Sequence, residues 1–146
     1  MGYMQVDIEI KSIHFTDEGR NEETETAVGE YHIKGDTRYI RYDSVDQDGD
    51  VSHNMIKLTK EAFSQNKKGQ VNATMLLTPC KETKTNYVTP YGTFAMTFDT
   101  KEYKLEESEN SHKITLKYDL SIDGKHQSRC HIFLRLNIKN DTITNV

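Results

Sequence analysis

The amino-acid sequence predicts an all-β protein whose antiparallel strands form a sandwich or a barrel. Two long runs in the last third alternate strictly between apolar and polar residues, and turn residues recur at short intervals along the chain. A period of two places successive side chains on opposite faces of a strand, one buried and one in water. Only 34% of the residues are apolar. A closed or nearly closed sheet suits this composition, because only every second strand residue then needs to be apolar.

The two alternating runs occupy residues 114–122 and 130–138, and Asp123-Gly124 between them is a hairpin signal. In both runs the even-numbered residues are apolar, and residues directly opposite each other in an antiparallel pair share a face. A two-residue loop would pair even positions with odd ones. We therefore expect either a loop of odd length or a bulge in one strand, with Gly124 supplying a left-handed residue.

The other strands are predicted from the same alternation and from the turns between them. An acidic stretch at residues 16–25 is predicted to be a mobile loop, and a polar loop is predicted at residues 106–111. The predicted strands cover residues 4–10, 26–34, 38–45, 51–59, 71–77, 86–89 and 93–100, with a weaker candidate at 101–105. Short strands at this spacing, about nine to eleven in total, are typical of an all-β sandwich or barrel.

Residues 59–69 allow two interpretations. Thr59 could cap a short helix that ends at Gly69. Such a helix would have only Ala62 and Phe63 to bury, which leaves it almost without an apolar face. We favour a hairpin turn at residues 60–62 and a strand that begins at Phe63.

Length and charge narrow the class of protein. The 146 residues predict a single domain, 1–146, and the net charge of −4 argues against a nucleic-acid partner, whose phosphates favour a basic face. The start of the chain lacks the apolar stretch of a signal peptide, and no run approaches the ~20 apolar residues of a membrane helix. Cys80 and Cys130 are too few and too far apart for a disulfide framework. We expect a cytoplasmic protein without a membrane partner, in which Cys130 is a small core residue.

The sequence predicts neither a metal site nor a cofactor. Asp46, Asp48 and Asp50 alternate as in a calcium loop, but the glycine and glutamate that an EF-hand loop requires are missing from their positions, so a plain turn is favoured. The histidines show no close pairing. His126 and His131 fall on opposite faces unless a bulge intervenes, and we interpret the histidines as scattered surface residues.

Catalytic motifs are equally absent from the sequence. Nucleophile-elbow, dinucleotide-binding and phosphate-loop patterns do not occur. Cys80 would need a neighbouring base that the sequence does not identify. An enzyme is therefore the least favoured interpretation, in which Arg41 or Asp43 would face the interior.

The most informative local feature is the turn at residues 89–92. Pro90 suits the second turn position and Gly92 the fourth. Tyr87 and Tyr91 flank this turn and offer amphipathic rings at one end of the sheet. Two interpretations remain open: rings that plug a barrel end, which we favour, or rings that contact a ligand at the rim.

At this turn the chain resembles the YwiB-like family of uncharacterised bacterial proteins. The matching segments are Tyr87-x-Thr89-Pro90-Tyr91-Gly92, Gly29-Glu30-Tyr31 with Tyr39-Ile40-x-Tyr42-Asp43, Lys68-Gly69-x-Val71-x-x-x-Met75, and Ile114-x-x-x-Tyr118-x-Leu120. Together they span nearly the whole chain. The resemblance implies a single antiparallel β-barrel of about 8–10 strands, lipocalin-like (a calycin), with a strand from Phe63. It implies no activity, because the function of the family is not established.

Three hypotheses about function follow, with an enzyme last. The first is a protein that binds a small, partly apolar molecule inside the barrel, since small barrels either fill their interior or hold one such ligand. The expected lining and rim residues are Tyr42, Met75, Tyr87, Tyr91, Phe94, Met96, Phe98 and Tyr118. The alternative is an interaction module with a filled barrel. Phe133 lies on the polar phase of the last strand, where it could anchor a partner or a homodimer.

Overall fold

The computed structural model describes residues 3–139 as one sheet of ten antiparallel strands. The strands are β1 Met4–Thr16, β2 Gly19–Lys34, β3 Thr37–Val45, β4 Val51–Leu58, β5 Phe63–Lys68, β6 Ala73–Leu77, β7 Glu82–Thr89, β8 Gly92–Glu107, β9 Ser111–Ile122 and β10 Lys125–Lys139. The predicted all-β class is confirmed. Within residues 3–139, a helix with the length and apolarity to span a membrane is not found.

The sheet curls into a nearly closed up-and-down barrel. Consecutive strands pair with each other, and β1 also pairs with β10, which leaves a seam between β6 and β7. Across that seam the backbones of Asn72 and Val88 exchange hydrogen bonds of 2.9 and 3.0 Å, and the Thr83 hydroxyl donates to the Leu76 carbonyl. We call the end that carries the β1–β2, β3–β4, β5–β6, β7–β8 and β9–β10 hairpins the upper end.

Of the two arrangements expected for the β9–β10 hairpin, a loop of odd length or a bulge, the structure has the bulge. Its turn consists of Asp123 and Gly124, with φ angles of 50° and 84°, as a two-residue type I′ turn demands. The register then shifts between His126 and Ser128, so that Gln127 is the extra residue. The predicted bulge is confirmed, but Gly124 serves the turn. Beyond the bulge, the even-numbered residues of both strands face the interior together.

The segment around residue 60 is a hairpin, as favoured, and not a helix. The Thr59 N–H donates to the Ala62 carbonyl at 3.1 Å, and the Thr59 hydroxyl accepts the Ala62 N–H at 3.1 Å. β5 starts at Phe63, which is 3% exposed and lies between Leu58 and Leu77 in the sheet. The strand therefore gives Phe63 apolar neighbours on both sides.

Two predictions about strand boundaries were wrong. The acidic stretch is not a loop: the chain turns after Thr16 and returns from Gly19 as β2, which pairs with β1 from Gly19 to Tyr31. Glu22 forms an ion pair with Lys11 at 2.9 Å, and charged side chains are typical of an exposed sheet edge. Residues 101–105 are not a separate strand either, because they continue β8 past a bulge at Lys101.

One apolar core lines the interior face of the barrel. Its fully buried members include Val6, Tyr31, Ile40, Ile56, Leu58, Leu77, Ile114, Leu116, Cys130 and Leu136. Cys130 is thus buried, as predicted. Beside the core, the backbones of β2 and β3 approach each other closely at Gly29 of β2. A Cβ at this position would lie 2.5 Å from the Arg41 carbonyl oxygen and 3.1 Å from the Tyr42 Cβ, so glycine lets β3 pass.

Polar side chains form hydrogen bonds at the lower end. The Arg38 guanidinium donates to both carboxylate oxygens of Glu107, at 2.7 and 3.2 Å. His112 is 5% exposed, which corrects its interpretation as a surface residue. Its Nδ1–H donates to the Ser111 carbonyl at 3.0 Å, so its Nε2 accepts the Tyr31 hydroxyl at 2.9 Å. Burial of the Tyr31 hydroxyl raises its pKa.

Candidate functional site

The interior face carries a row of polar side chains across four neighbouring strands. Thr100 of β8 lies opposite Tyr118 of β9, Tyr118 opposite Cys130 of β10, and Cys130 opposite His14 of β1. The Cys130 Sγ lies 3.2 Å from His14 Nδ1 and 3.4 Å from the Ser128 hydroxyl oxygen. We call these five residues the polar row.

The polar row is almost entirely withdrawn from water. Cys130 and Thr100 are fully buried, Tyr118 and Ser128 nearly so, and His14 is half-buried. Burial, together with the neighbouring Cys130 thiol, raises the pKa of Tyr118 far above its usual range. Burial likewise raises the pKa of the Cys130 thiol, although the hydrogen bond with Ser128 opposes the rise. Both groups are therefore neutral at physiological pH.

One member of the polar row has an unused hydrogen-bonding group. The Thr100 hydroxyl oxygen is buried and has no hydrogen-bond partner among the residues that the structure describes. An unsatisfied buried hydroxyl costs about 1–3 kcal/mol, so few of them persist in native proteins without a reason. Thr100 thus offers an open donor and acceptor on the interior face.

A second polar chain crosses β3, β4 and β5. The Gln65 amide donates to the Tyr42 hydroxyl at 3.1 Å and to the Asn54 side-chain carbonyl at 3.3 Å. Asn54 in turn donates to the Ser44 hydroxyl at 3.0 Å. Burial, with the Glu25 carboxylate as a second cause, raises the pKa of Tyr42 well above its usual range. This chain brings uncharged polar groups to a second part of the same interior face.

Apolar side chains lie beside the polar row towards the upper end. The Phe98 and Tyr118 rings meet edge to face, with centroids 5.5 Å apart. Met96 is the next interior residue of β8 and is half-buried, and Phe94 after it is 38% exposed. Tyr87, half-buried, pairs with Phe94 across β7 and β8. The aromatic lining therefore becomes progressively more open towards the hairpin.

The predicted lining residues do not all come together. Tyr42, Phe98 and Tyr118 are buried in the core, and Met75 and Met96 pack against it. Tyr87 and Phe94 lie at the upper opening. Tyr91 is 95% exposed at the tip of the β7–β8 hairpin, because the turn directs it away from the barrel, and it neither plugs nor lines the interior.

Sequence analysis missed most of the polar groups of the site. It ended the first strand before His14 and treated Cys130 as core alone, and the two residues lie 116 positions apart. Strand parity was the available signal, because both are even-numbered in strands whose even residues are apolar. Nothing in the sequence marked Thr100, whose importance depends on what surrounds its hydroxyl.

Other candidates considered from the sequence do not join the site. Asp46, Asp48 and Asp50 have carboxylate oxygens within 4.8 Å of one another. Asp46 Oδ1 accepts hydrogen bonds from the N–H groups of Asp48 and Asp50 at 2.9 Å each. Such bonds from an aspartate side chain to the following backbone stabilise a turn. Arg41 and Asp43 are exposed on the outer face, because alternation in β3 directs Ile40 and Tyr42 inward instead.

The arrangement suits a ligand with two kinds of surface. The polar row presents a neutral thiol, an imidazole and a hydroxyl that has no hydrogen-bond partner within residues 3–139. Phe94, Met96 and Phe98 supply apolar contact. Sites that bind small, mostly apolar molecules are lined by apolar and aromatic side chains with a few polar groups. Charged ligand groups would meet little compensation in the polar row.

Comparisons with known proteins bear on the family and the fold. A family model described as a domain of unknown function, DUF1934, matches residues 8–134. A search of curated proteins found no match. Among solved structures, the crystal structure of the ywiB protein from Bacillus subtilis superposes with a TM-score of 0.84, at 16% sequence identity and with 94% of each chain covered. At this identity the likeness shows a shared fold alone.

Proposed function

Because the chain belongs to the DUF1934 family, whose description names no activity, we propose a function from the residues of the barrel interior. The protein binds one small, partly apolar, uncharged molecule inside the barrel. The polar end of this molecule lies against the polar row and its apolar part against Phe94, Met96 and Phe98. The proposed location is the cytoplasm, where free thiols such as Cys80 and Cys130 remain reduced. The lipocalin-like character predicted from the sequence is part of this proposal.

The observation that carries the proposal is the buried Thr100 hydroxyl, which has no hydrogen-bond partner in the described part of the chain. A ligand carbonyl or hydroxyl that reached it would recover the free energy lost by burying this group. The open aromatic residues Tyr87 and Phe94 give an entry route at the upper end, since both are partly exposed. The Arg38–Glu107 ion pair lies at the lower end, and we place the entry of the ligand at the upper end.

Thr100→Val tests the proposal, because valine has nearly the same shape and lacks the hydroxyl. We expect the ligand-free protein to gain about 1 kcal/mol of stability, which is a rise of about 2–4 °C in Tm for a domain of this size. We also expect the affinity for N-phenyl-1-naphthylamine to fall about tenfold. This dye is uncharged and amphipathic, and its N–H can donate a hydrogen bond to the Thr100 hydroxyl. Differential scanning calorimetry and fluorescence titration measure the two effects.

Thr97→Val is the matched control, because Thr97 lies on the outer face of the same strand. It should leave dye affinity unchanged. If Thr100→Val destabilises the protein and leaves dye affinity at the value of the unsubstituted protein, the hydroxyl is structural and the proposal fails.

A second candidate function rests on the outer face that carries Phe133. Phe133 and Phe15 are 38% and 37% exposed, and Phe15 contacts His131 edge to face, with ring centroids 5.0 Å apart. Burial, followed by Lys117 and Arg129, lowers the pKa of His131 and keeps its ring uncharged at neutral pH. This aromatic surface, with Lys117 and Arg129 beside it, is the proposed contact for a second copy of the chain.

Phe133→Ser tests this second candidate. Loss of an aromatic anchor should weaken self-association at least tenfold, as measured by sedimentation velocity over a concentration series. Val45→Ser, at a 66% exposed apolar residue of β3, is the control and should have no effect. If the sedimentation of Phe133→Ser depends on concentration as that of the unsubstituted protein does, the outer face is not the contact between two copies.

A further inference from the structure

A groove on the outer face of the barrel crosses β3, β4, β5 and β6. Its volume is about 570 Å³, within the range of small-molecule sites, and its lining includes Arg41, Met55, Lys57, Ser64, Asn66 and Lys68. These side chains point away from the barrel interior, because alternation directs their neighbours in each strand inward. We call this feature the outer groove.

The three basic side chains of the outer groove are not neutralised by ion pairs. Arg41, Lys57 and Lys68 are exposed, and within residues 3–139 none of them forms an ion pair. Lys57 is held over the ring of Tyr39, with its Nζ 5.7 Å from the ring centroid. The groove therefore presents three positive charges to any ligand that enters it.

Acidic side chains offset only part of this charge. Asp43 contributes a carboxylate to the lining, and its Oδ1 lies 2.7 Å from His53 Nδ1. Glu30 lies opposite Arg41 in the β2–β3 register but lines a neighbouring groove. With histidine counted as neutral, three positive charges and one negative charge leave +2 in the outer groove, whereas the whole chain carries −4. The groove is thus a positive site on a negatively charged protein.

The strand register spaces the three cations along the outer groove. Lys57 and Met55 are alternate residues of β4, Arg41 of β3 lies opposite Met55, and Lys68 of β5 lies opposite His53. Each step from Lys57 to Arg41 and from Arg41 to Lys68 is therefore two residues, or about 7 Å along the strand direction. Arginine and lysine side chains are long enough for the central Arg41 to share one anionic group with either lysine.

The remaining lining residues suit the uncharged part of a ligand. Met55 is half-buried between Arg41 and Asn66 and offers an apolar surface. Ser64 and Asn66 are half-buried as well and supply a hydroxyl and an amide for hydrogen bonds. The outer groove thus combines unpaired cations with neutral polar and apolar contacts.

We infer that the outer groove binds a small phosphate monoester. Such a phosphate carries a charge of about −2 near neutral pH, which matches the charge of the lining. Arginine and lysine are the side chains that bind phosphate oxygens through charge-assisted hydrogen bonds. The phosphate group lies between Arg41 and a neighbouring lysine, and the organic part contacts Met55, Ser64 and Asn66. This inference is independent of the proposed function, because it concerns the opposite face of the sheet.

Isothermal titration calorimetry with adenosine 5′-monophosphate and glucose 6-phosphate tests the inference. We expect one site per chain, with an affinity that falls as sodium chloride is added, because salt screens exposed charges. Adenosine, which lacks the phosphate, should not bind. Arg41→Gln should lower the affinity for both phosphate esters at least tenfold, the effect of losing a hydrogen bond to a charged group.

Two further variants separate a site from a general effect of charge. Arg135→Gln removes an exposed arginine from the outer face of β10 and should leave the affinity unchanged. Asp43→Asn should raise the affinity about threefold, since it removes the negative charge of the lining, whereas loss of a purely structural side chain would not strengthen binding.

Several results would overturn the inference. Absence of binding would do so, as would equal losses of affinity for Arg41→Gln and Arg135→Gln. Inorganic phosphate that bound as tightly as the two esters would show that the organic part makes no contact. A single-stranded oligonucleotide that bound more tightly than adenosine 5′-monophosphate would show that the groove serves a macromolecule. Thr100→Val should not alter ester binding, so each of these results leaves the proposed function standing.

Discussion

Gly29→Val should lower the free energy of unfolding by about 3 kcal/mol. A Cβ at position 29 would lie 2.5 Å from the Arg41 carbonyl oxygen, and backbone cannot move aside as a flexible side chain can. Relief requires β2 and β3 to separate at a position beside the core, which places the cost at the upper end of the range for overpacking. Urea unfolding followed by tyrosine fluorescence suits the measurement, because the chain has eight tyrosines and no tryptophan.

The control for this variant is Glu30→Val, which adds the same side chain at the next residue, on the outer face of β2. Its effect should stay within about 0.5 kcal/mol. Equal effects of the two variants would show that the strands do not approach each other closely at Gly29.

Leu116→Ala should cost about 2–5 kcal/mol, the range measured for truncation of a buried leucine. Leu116 is 0% exposed and lies in β9 between Tyr103 of β8 and Ile132 of β10. Neighbouring strands on both sides limit how far the structure can collapse into the space. A decrease in the urea midpoint at unchanged slope measures the loss.

Lys113→Ala removes a long side chain from an exposed position of the same strand and should change stability by no more than about 0.5 kcal/mol. A loss below 1 kcal/mol for Leu116→Ala would mean that β9 does not direct its even-numbered residues into a packed interior. Such a result would contradict the register on which the whole interior face depends.

The fold was largely predictable because alternation and turn chemistry are local signals. The parity of residues 114–138 predicted either a loop of odd length or a bulge, and the structure has the bulge, at Gln127. The two matches also confirm the resemblance to the YwiB-like family and its barrel. The acidic residues of β2 were misjudged because strand pairing with β1 outweighs the weak preference of glutamate for a strand.

The candidate site was less predictable because it depends on register between distant strands. Tyr118 and Phe98 could be assigned to the interior from parity alone. The contact between His14 and Cys130 requires the pairing of the first and last strands, which no local signal reveals. Tyr91 illustrates the opposite error: an aromatic residue beside a predicted turn is directed by the turn and not by the alternation of its strand.

Binding of a small molecule inside the barrel is tested most directly by native mass spectrometry of the purified protein, beside its denatured mass, before and after incubation with cell extract. We predict a reproducible mass excess on the native monomer that disappears on denaturation and is reduced by Thr100→Val. The excess would give the mass of the ligand. A native mass equal to the denatured mass, even after incubation with extract, would contradict a ligand site in the interior.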